Sequence, residues 1–346
     1  MVIVGGQLPA AAALVIAGGP WPLLLIPAAV LTWSFLRALG SPWRLEPASR
    51  AHLRFGIMPF LVWWVACVWF VVLAPVAFLG ARLSPLAWPL TAAMCLALGA
   101  VSVWRRPRVA RVELEFAELP AALDGLTIVQ LSDLHCGPFV PESVVESWVR
   151  RANRLGADLV AVTGDLVASG TSHVAAVARA LGGLRAARGV YASMGNHDYF
   201  GAGEPLVHAL EAEGITVLRN ASRPAGDGLV VAGVDDTWTR RDDVDAALER
   251  PGEFTLLLAH DPELFPRAAA LGADLTLSGH THAGQLAVPF FVSRWNLARA
   301  VYRFSHGLYR VGASVLYVNA GLGFTGPPVR IGARGEITHF TIRRRS

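Results

Sequence analysis

Residues 1–36, 57–80 and 83–104 contain no charged side chain, and nothing else in the sequence restricts the fold as strongly. Soluble domains carry charge throughout, so three uncharged blocks in succession point to a bilayer. The second block, IMPFLVWWVACVWFVVLAPVAFLG, and the third, LSPLAWPLTAAMCLALGAVSVW, are each long enough to cross one, at ~20 residues per helical span. Tryptophans crowd both, as interfacial anchors do. The first block is interrupted by GGPWP, so it reads as one helix with a leader or as two short helices. No basic stretch precedes it and its apolar run is too long, which argues against a cleaved signal peptide. The organisation expected is an N-terminal bundle of three or four transmembrane helices over 1–104, a basic linker with a first strand over 105–125, and a soluble domain over 126–346.

Every basic residue is arginine, and their placement sets the orientation. Arg37, Arg44, Arg50 and Arg54 face one acid, Glu46, between the first two blocks; Arg105, Arg106, Arg108 and Arg111 follow the third; Arg82 stands alone between the second and third. The positive-inside rule then expects a multi-pass protein of the inner (cytoplasmic) membrane, with its soluble domain facing the cytoplasm. The net charge of +4, with arginines beside the membrane and in the terminal IRRRS, favours anionic lipid. The lipid bilayer is therefore an expected partner. No nucleic-acid motif accompanies the charge, and no such partner is expected. Cys67, Cys95 and Cys136 offer no disulfide framework.

From Val112 onward the composition is ordinary. Apolar strand-like runs cover 126–135, 157–165, 189–198, 229–236, 253–262, 273–282 and 314–323. Helical patterns such as PESVVESWVRRANRLG and HVAAVARALGGLRAARG lie between many of them and stop at glycine. Strands alternating with helices predict an α/β layered domain with its site beyond the strands' carboxyl ends.

Those strand ends hold the chemistry. Asp133 and His135 form a D-x-H pair after one run, Asp165 follows Gly164 after the next, and Asn196, His197 and Asp198 follow Gly195 after the third. His260 ends a later run, and His280 and His282 end another in LSGHTHAGQ. Mixed carboxylate and imidazole donors suit Mn, Fe or Zn rather than calcium. They outnumber the needs of one ion, which predicts two divalent metals sharing a carboxylate. The remaining histidines, His52, His173, His208, His306 and His339, read as surface or interface residues, Asp235 and Asp236 as a turn, and Cys136 as a packed thiol.

The ordered series D-x-H, G-D, G-N-H-D, H, G-H-T-H resembles the calcineurin-like metallophosphoesterase superfamily across nearly all of 126–330. DPELF, GVDDTW and GLGFTGPPVRIG resemble its membrane-anchored bacterial branch, which includes hydrolases of UDP-diacylglucosamine. The resemblance implies a two-sheet αββα sandwich with a dimetal centre at the sheet edge. It assigns Asp133, His135 and His282 to one metal, Asn196, His260 and His280 to the other, and Asp165 to both. It gives His197 the phosphate and the leaving oxygen, with a metal-activated hydroxide as attacking group. One position departs from the pattern. Many relatives read G-D-x-x-D, whose last carboxylate orients the catalytic histidine, whereas GDLVAS places Ala168 there. Asp198 is the candidate substitute, and a better leaving group would need less acid help.

The reading that follows is a membrane-anchored hydrolase of a phosphodiester or pyrophosphate, with a phosphoester or lipid-linked nucleotide as substrate. The alternatives are a broad phosphomonoesterase or nucleotide phosphodiesterase, and a non-catalytic membrane scaffold. The insertion PFFVSRWNLARAVYRFSHG, 289–307, mixes aromatics with arginines beside the metal motif, which suits either a surface loop or a segment dipping into lipid.

Overall fold

The computed structural model describes residues 53–104, 106–201 and 203–345, with positions 29, 30, 33 and 51 besides. The expectation of one or two crossings within 1–36 otherwise lies outside the described residues. The chain divides into two compact units, residues 1–105 with 327–330, and residues 106–326 with 331–346.

In the first unit, helix α1 (Met58–Ala81) and helix α2 (Ala87–Trp104) form an antiparallel pair. Pro59 sits in the first turn of α1, where its missing N–H is not needed. Gly99 of α2 lies so close to α1 that a Cβ there would stand 3.2 Å from the Ala66 nitrogen, the close approach that small residues permit between apolar helices. Val72, Val76, Leu79 and Leu90 point outward, exposed. Among the described residues one helix, Leu53–Ala81, is long and apolar enough to cross a membrane, rather than three or four. The third apolar block falls short because its first residues are spent on a turn through Ser84 and Pro85, leaving Ala87–Val103, about 26 Å of helix.

The second unit contains two six-stranded mixed sheets. The first has the order β1 (Arg108–Phe116), β12 (Glu336–Arg344), β2 (Thr127–Leu131), β3 (Leu159–Thr163), β4 (Val190–Ser193), β5 (Thr216–Val217). The second runs β10 (Gly307–Val311), β11 (Ser314–Val318), β9 (Leu275–Ser278), β8 (Phe254–Leu258), β7 (Leu229–Gly233), β6 (Ala221–Gly226). Period-2 alternation divides each central strand between two cores. Ile128 and Leu159 face inward with Leu256, Leu277 and Phe340, filling the space between the sheets. Val129, Leu131 and Val160 face out, against helices α3 (Glu142–Asn153), α4 (Val174–Leu181) and α5 (Gly203–Ala212). The second sheet's outer face, with Ala232 and Leu257, is covered by α6 (Val244–Ala247) and α7 (Phe265–Ala270). Strands buried on both faces need continuous apolar runs, which is why TIVQL, LVAVT and FTLLL carry no charge.

The layers are therefore αββα. β2, β3 and β4 are parallel neighbours, as are β7, β8, β9 and β11, so within each sheet the carboxyl ends share an edge. The terminal arginines take a place that the sequence pattern does not announce. β12 inserts between β1 and β2, buries Ile342, and sets Arg343 against Glu113 at 3.3 Å.

Candidate metal centre

The loops leaving β2, β3, β4, β8 and β9 bring their donor residues together. Asp133, His135, Asp165 and His282 present ligand atoms within 4.8 Å of one another, all four buried. Asp165, His260 and His280 form a second such group, so Asp165 belongs to both. Its Oδ2 lies 3.5 Å from His135 Nε2 and 3.3 Å from His260 Nε2, while its Oδ1 accepts the His197 amide at 2.9 Å. His135 and His282 meet Nε2 to Nε2 at 2.9 Å, and His280 Nδ1 stands 3.2 Å from His260 Nε2. Asn196, also buried, follows β4 in a short 3-10 turn over Asn196–Tyr199.

The backbone is bent to make this possible. Asp133, His135, Asp165, His280 and His282 all have positive φ, between 46° and 68°. Non-glycine residues visit that region rarely, and Asp and His are among those that tolerate it best. Each such residue costs about 1–3 kcal/mol and persists only where its surroundings enforce it. Here the main chains of neighbouring loops enforce it: the Asp133 amide donates to the Gly164 carbonyl at 3.0 Å, and the His135 amide to the Asp165 carbonyl at 2.9 Å. Gly164, with φ 76°, allows the β3 loop to press against the β4 loop, since a Cβ there would lie 2.6 Å from His260 Nδ1 and 2.7 Å from the Gly195 nitrogen.

The electrostatics suit cations. Burial alone would push Asp165 up, but His260, His135 and His197 hold its carboxyl well below the usual range. Burial would lower His260, yet Asp165 and Asp133 raise it well above an ordinary histidine. Burial and the nearby His260 bring His280 down to about 4, so it is a neutral donor at physiological pH. Asp133 is raised to about 6, mainly by burial. Asp133 Oδ2 and Asn196 Oδ1 are buried oxygens with no hydrogen-bond partner. Two orphaned oxygens, and imidazole nitrogens turned toward one another, fit divalent cations. His260 is fixed for this use: its Nδ1 lies 2.8 Å from the Thr163 carbonyl, which can only accept, so Nε2 is left facing Asp165.

Two features differ from the sequence expectation. His197 is oriented by the Ala168 main chain, whose carbonyl oxygen lies 2.7 Å from Nδ1. Side chain 168 is thus not needed for that contact. Asp198 does not take over the task. Its fully buried carboxylate accepts from the amides of Leu166 at 2.7 Å, Val167 at 3.1 Å and Gly195 at 2.9 Å, tying the β3 and β4 loops together. Burial pushes its carboxyl up to about 7. It therefore holds the two loops rather than the His197 ring.

Sequence reasoning passed over Tyr302 and Thr325. Tyr302 OH stands 3.0 Å from His280 Nε2, and Thr325 Oγ1 is 2.8 Å from His282 Nε2. Thr325 lies within GLGFTGPPVRIG and Tyr302 within the 289–307 insertion, so both segments carried a signal without a role. Trp238, in GVDDTW, places its exposed ring 5.5 Å from that of His280, and Phe200 its own 4.9 Å from His197. Asp235 accepts a hydrogen bond from Arg219 Nε at 3.1 Å and is more than a turn residue. His306, expected as a surface or interface residue, is buried within the domain, whereas Cys136 is packed as expected.

Residues 126–284 match the calcineurin-like phosphoesterase family. The metallophosphoesterase YkuE of Bacillus subtilis is 33% identical, over 65% of this chain and 82% of its own length. This chain therefore belongs to the calcineurin-like metallophosphoesterases. The particular relatives extend beyond bacteria. A zebrafish protein named "Transmembrane protein with metallophosphoesterase domain" is 37% identical over 76% of this chain, and its cattle namesake 34% identical over 71%. The chain spans 63% and 59% of the length of these two. Among solved structures, TT1561 of Thermus thermophilus aligns over 57% of this chain and 90% of its own with a TM-score of 0.37 and 16% identity, too loose a likeness to carry an inference.

Proposed function

We propose that this chain is a membrane-anchored phosphoesterase that uses two divalent metal ions (Mn, Fe or Zn) to cleave a phosphodiester or pyrophosphate. The observation that carries the reading is Asp165, shared by two donor groups while its other oxygen fixes the amide of His197. One ion would be held by Asp133, His135, Asp165 and His282, the other by Asp165, Asn196, His260 and His280. Bound there, such ions supply Lewis acidity and neutralise charge on the phosphoryl oxygens. The protein's part is positional and protonic. The β3 and β4 loops, clamped by Asp198, hold Asp165 and His197 at fixed spacing. Ala168 accepts from His197 Nδ1–H, which leaves Nε2 to give a proton to the leaving oxygen. A carbonyl stabilises the imidazolium less than a carboxylate would, so His197 is best matched to a leaving group that needs little protonation, such as a nucleotide phosphate.

The exposed rings of Trp238 and Phe200 beside the donor residues favour a substrate with an apolar or aromatic portion. With an apolar helix in the chain and relatives named as transmembrane proteins, a lipid-linked substrate is the form we favour, UDP-diacylglucosamine being one candidate. The arginine distribution supports a multi-pass anchor in the inner membrane with the domain facing the cytoplasm. The deciding experiment is hydrolysis of bis(p-nitrophenyl) phosphate and of p-nitrophenyl phosphate by the full chain in detergent, after chelation and after Mn²⁺ is restored. Diesterase activity that disappears with the metal and returns with it supports the proposal. Preference for the monoester would favour a phosphomonoesterase, and a chain that retains no metal would be a scaffold.

A further inference from the structure

Immediately after the ligand His282, the chain departs into residues 286–301 and returns to the metal centre through Tyr302, whose hydroxyl contacts His280. This excursion is folded, not loose. Ala287 bridges Asn296, the Val288 amide donates to the Trp295 carbonyl at 2.9 Å, and the Leu297 amide to the Leu286 carbonyl at 2.9 Å. Asn296 anchors it from within, donating to the Val292 carbonyl at 2.7 Å and to Ser305 Oγ at 2.9 Å. Ala298 is buried beneath it. Its turns are thus tied together by main-chain hydrogen bonds, yet the apolar side chains face out. Phe290 is 98% exposed and Val301 79%, with Phe291, Trp295 and Leu297 exposed beside them. Phe290 has φ 69°, an unusual conformation for an aromatic residue at an exposed tip.

An apolar surface of this kind needs a cover, and its charge indicates which. Residues 286–307 contain Arg294, Arg299 and Arg303 and no acidic residue. Among the described residues none of these three guanidiniums pairs with a carboxylate; the nearby Glu263 is engaged by the amides of Arg303 and Phe304 at 2.8 and 3.2 Å. Aromatic and aliphatic side chains interleaved with arginines that have no carboxylate partner match an anionic lipid surface, where rings enter the headgroup boundary and guanidiniums meet phosphates.

We infer that residues 286–301 form a docking surface for an anionic bilayer, setting Tyr302 and His280 beside the lipid headgroups. The docking stands without catalysis; only its consequence, access of a lipid-linked phosphoester to the metal centre, rests on the proposed function. The test uses the full chain with Phe290→Cys, labelled with an environment-sensitive fluorophore; the native cysteines are buried. The chain is reconstituted into vesicles of phosphatidylcholine alone or mixed with phosphatidylglycerol, with and without acyl-brominated lipid. Docking predicts blue-shifted emission quenched by the brominated lipid in the anionic vesicles. Arg294→Gln and Arg299→Gln should each lower the docked-to-undocked ratio about fivefold. Emission typical of water in anionic vesicles would overturn the inference, as would quenching indifferent to phosphatidylglycerol and to both arginine variants. Shielding of the label in detergent that grows with protein concentration would assign the face to a second copy and overturn it too. A chain that docks but cleaves neither a phosphodiester nor a pyrophosphate would refute the hydrolase and leave the docking intact.

Discussion

Replacing Gly164 with alanine tests how the site is built. Gly164 has φ 76°, and an alanine Cβ would come within 2.6 Å of His260 Nδ1 and 2.9 Å of the Gly195 Cα. Two penalties add. Left-handed backbone costs an alanine about 1–2 kcal/mol. Overlap with main chain that cannot retreat costs about 1–3 kcal/mol more. Gly156 separates them: its φ is 64°, but nothing lies within 4 Å of the Cβ position. Gly156→Ala should thus show the conformational penalty alone, a fall in Tm of about 2–8 °C for a domain of this size. Gly164→Ala should unfold lower still, by about 1–3 kcal/mol, equivalent to about 2–12 °C. Only Gly164→Ala should also loosen the bond between His260 and Thr163, and so lose metal. Thermal unfolding of the full chain in detergent, followed by tryptophan fluorescence, with metal content by mass spectrometry, reads both effects. Equal Tm values and equal metal content in the two variants would refute the close packing of the β3 and β4 loops on which the site depends.

Asp165→Asn keeps an oxygen for the His197 amide but loses the shared charge; bound metal should fall and diesterase activity drop at least about 10³-fold, read by metal analysis beside kcat. His197→Ala should cost about 10²–10⁴ in kcat with metal content unchanged, whereas Ala168→Gly, which preserves the orienting carbonyl, should change kcat less than about twofold. Metal affinity should rise with pH. His260 is raised well above its usual value, so the metal-free protein carries a proton there that binding must expel, giving about a tenfold gain per pH unit near neutrality. Below pH 6, where Asp133 too becomes protonated, the slope should steepen toward about a hundredfold per unit, measurable by titration calorimetry with Mn²⁺.

The donor residues were legible in the sequence because each stands where an apolar run ends, and parallel strands deliver their ends to a common edge. His280 could be grouped with Asp133 across 147 residues of chain on this ground alone. The third apolar block was legible in composition but not in length, since Pro85 spends its opening residues on a turn. β12 was not legible: its alternation is short, and its arginines look the same on a strand as on a basic tail.

By itself, then, the sequence determined the alternation of strands and helices and the donor chemistry, because periodicities of 2 and 3.6 and the choice of carboxylate or imidazole are local properties; the αββα order came only through the family resemblance. Only the tertiary structure decided how those donors are held. That Ala168 rather than Asp198 orients His197 depends on the direction of one carbonyl, which is set by how the loops of β3 and β4 pack. That Asp165 serves two clusters, and that Tyr302 and Thr325 reach them, depends on the convergence of loops distant along the chain. Side-chain chemistry is written residue by residue, whereas the direction of a main-chain dipole and the meeting of remote loops exist only once the sheets have closed on their cores.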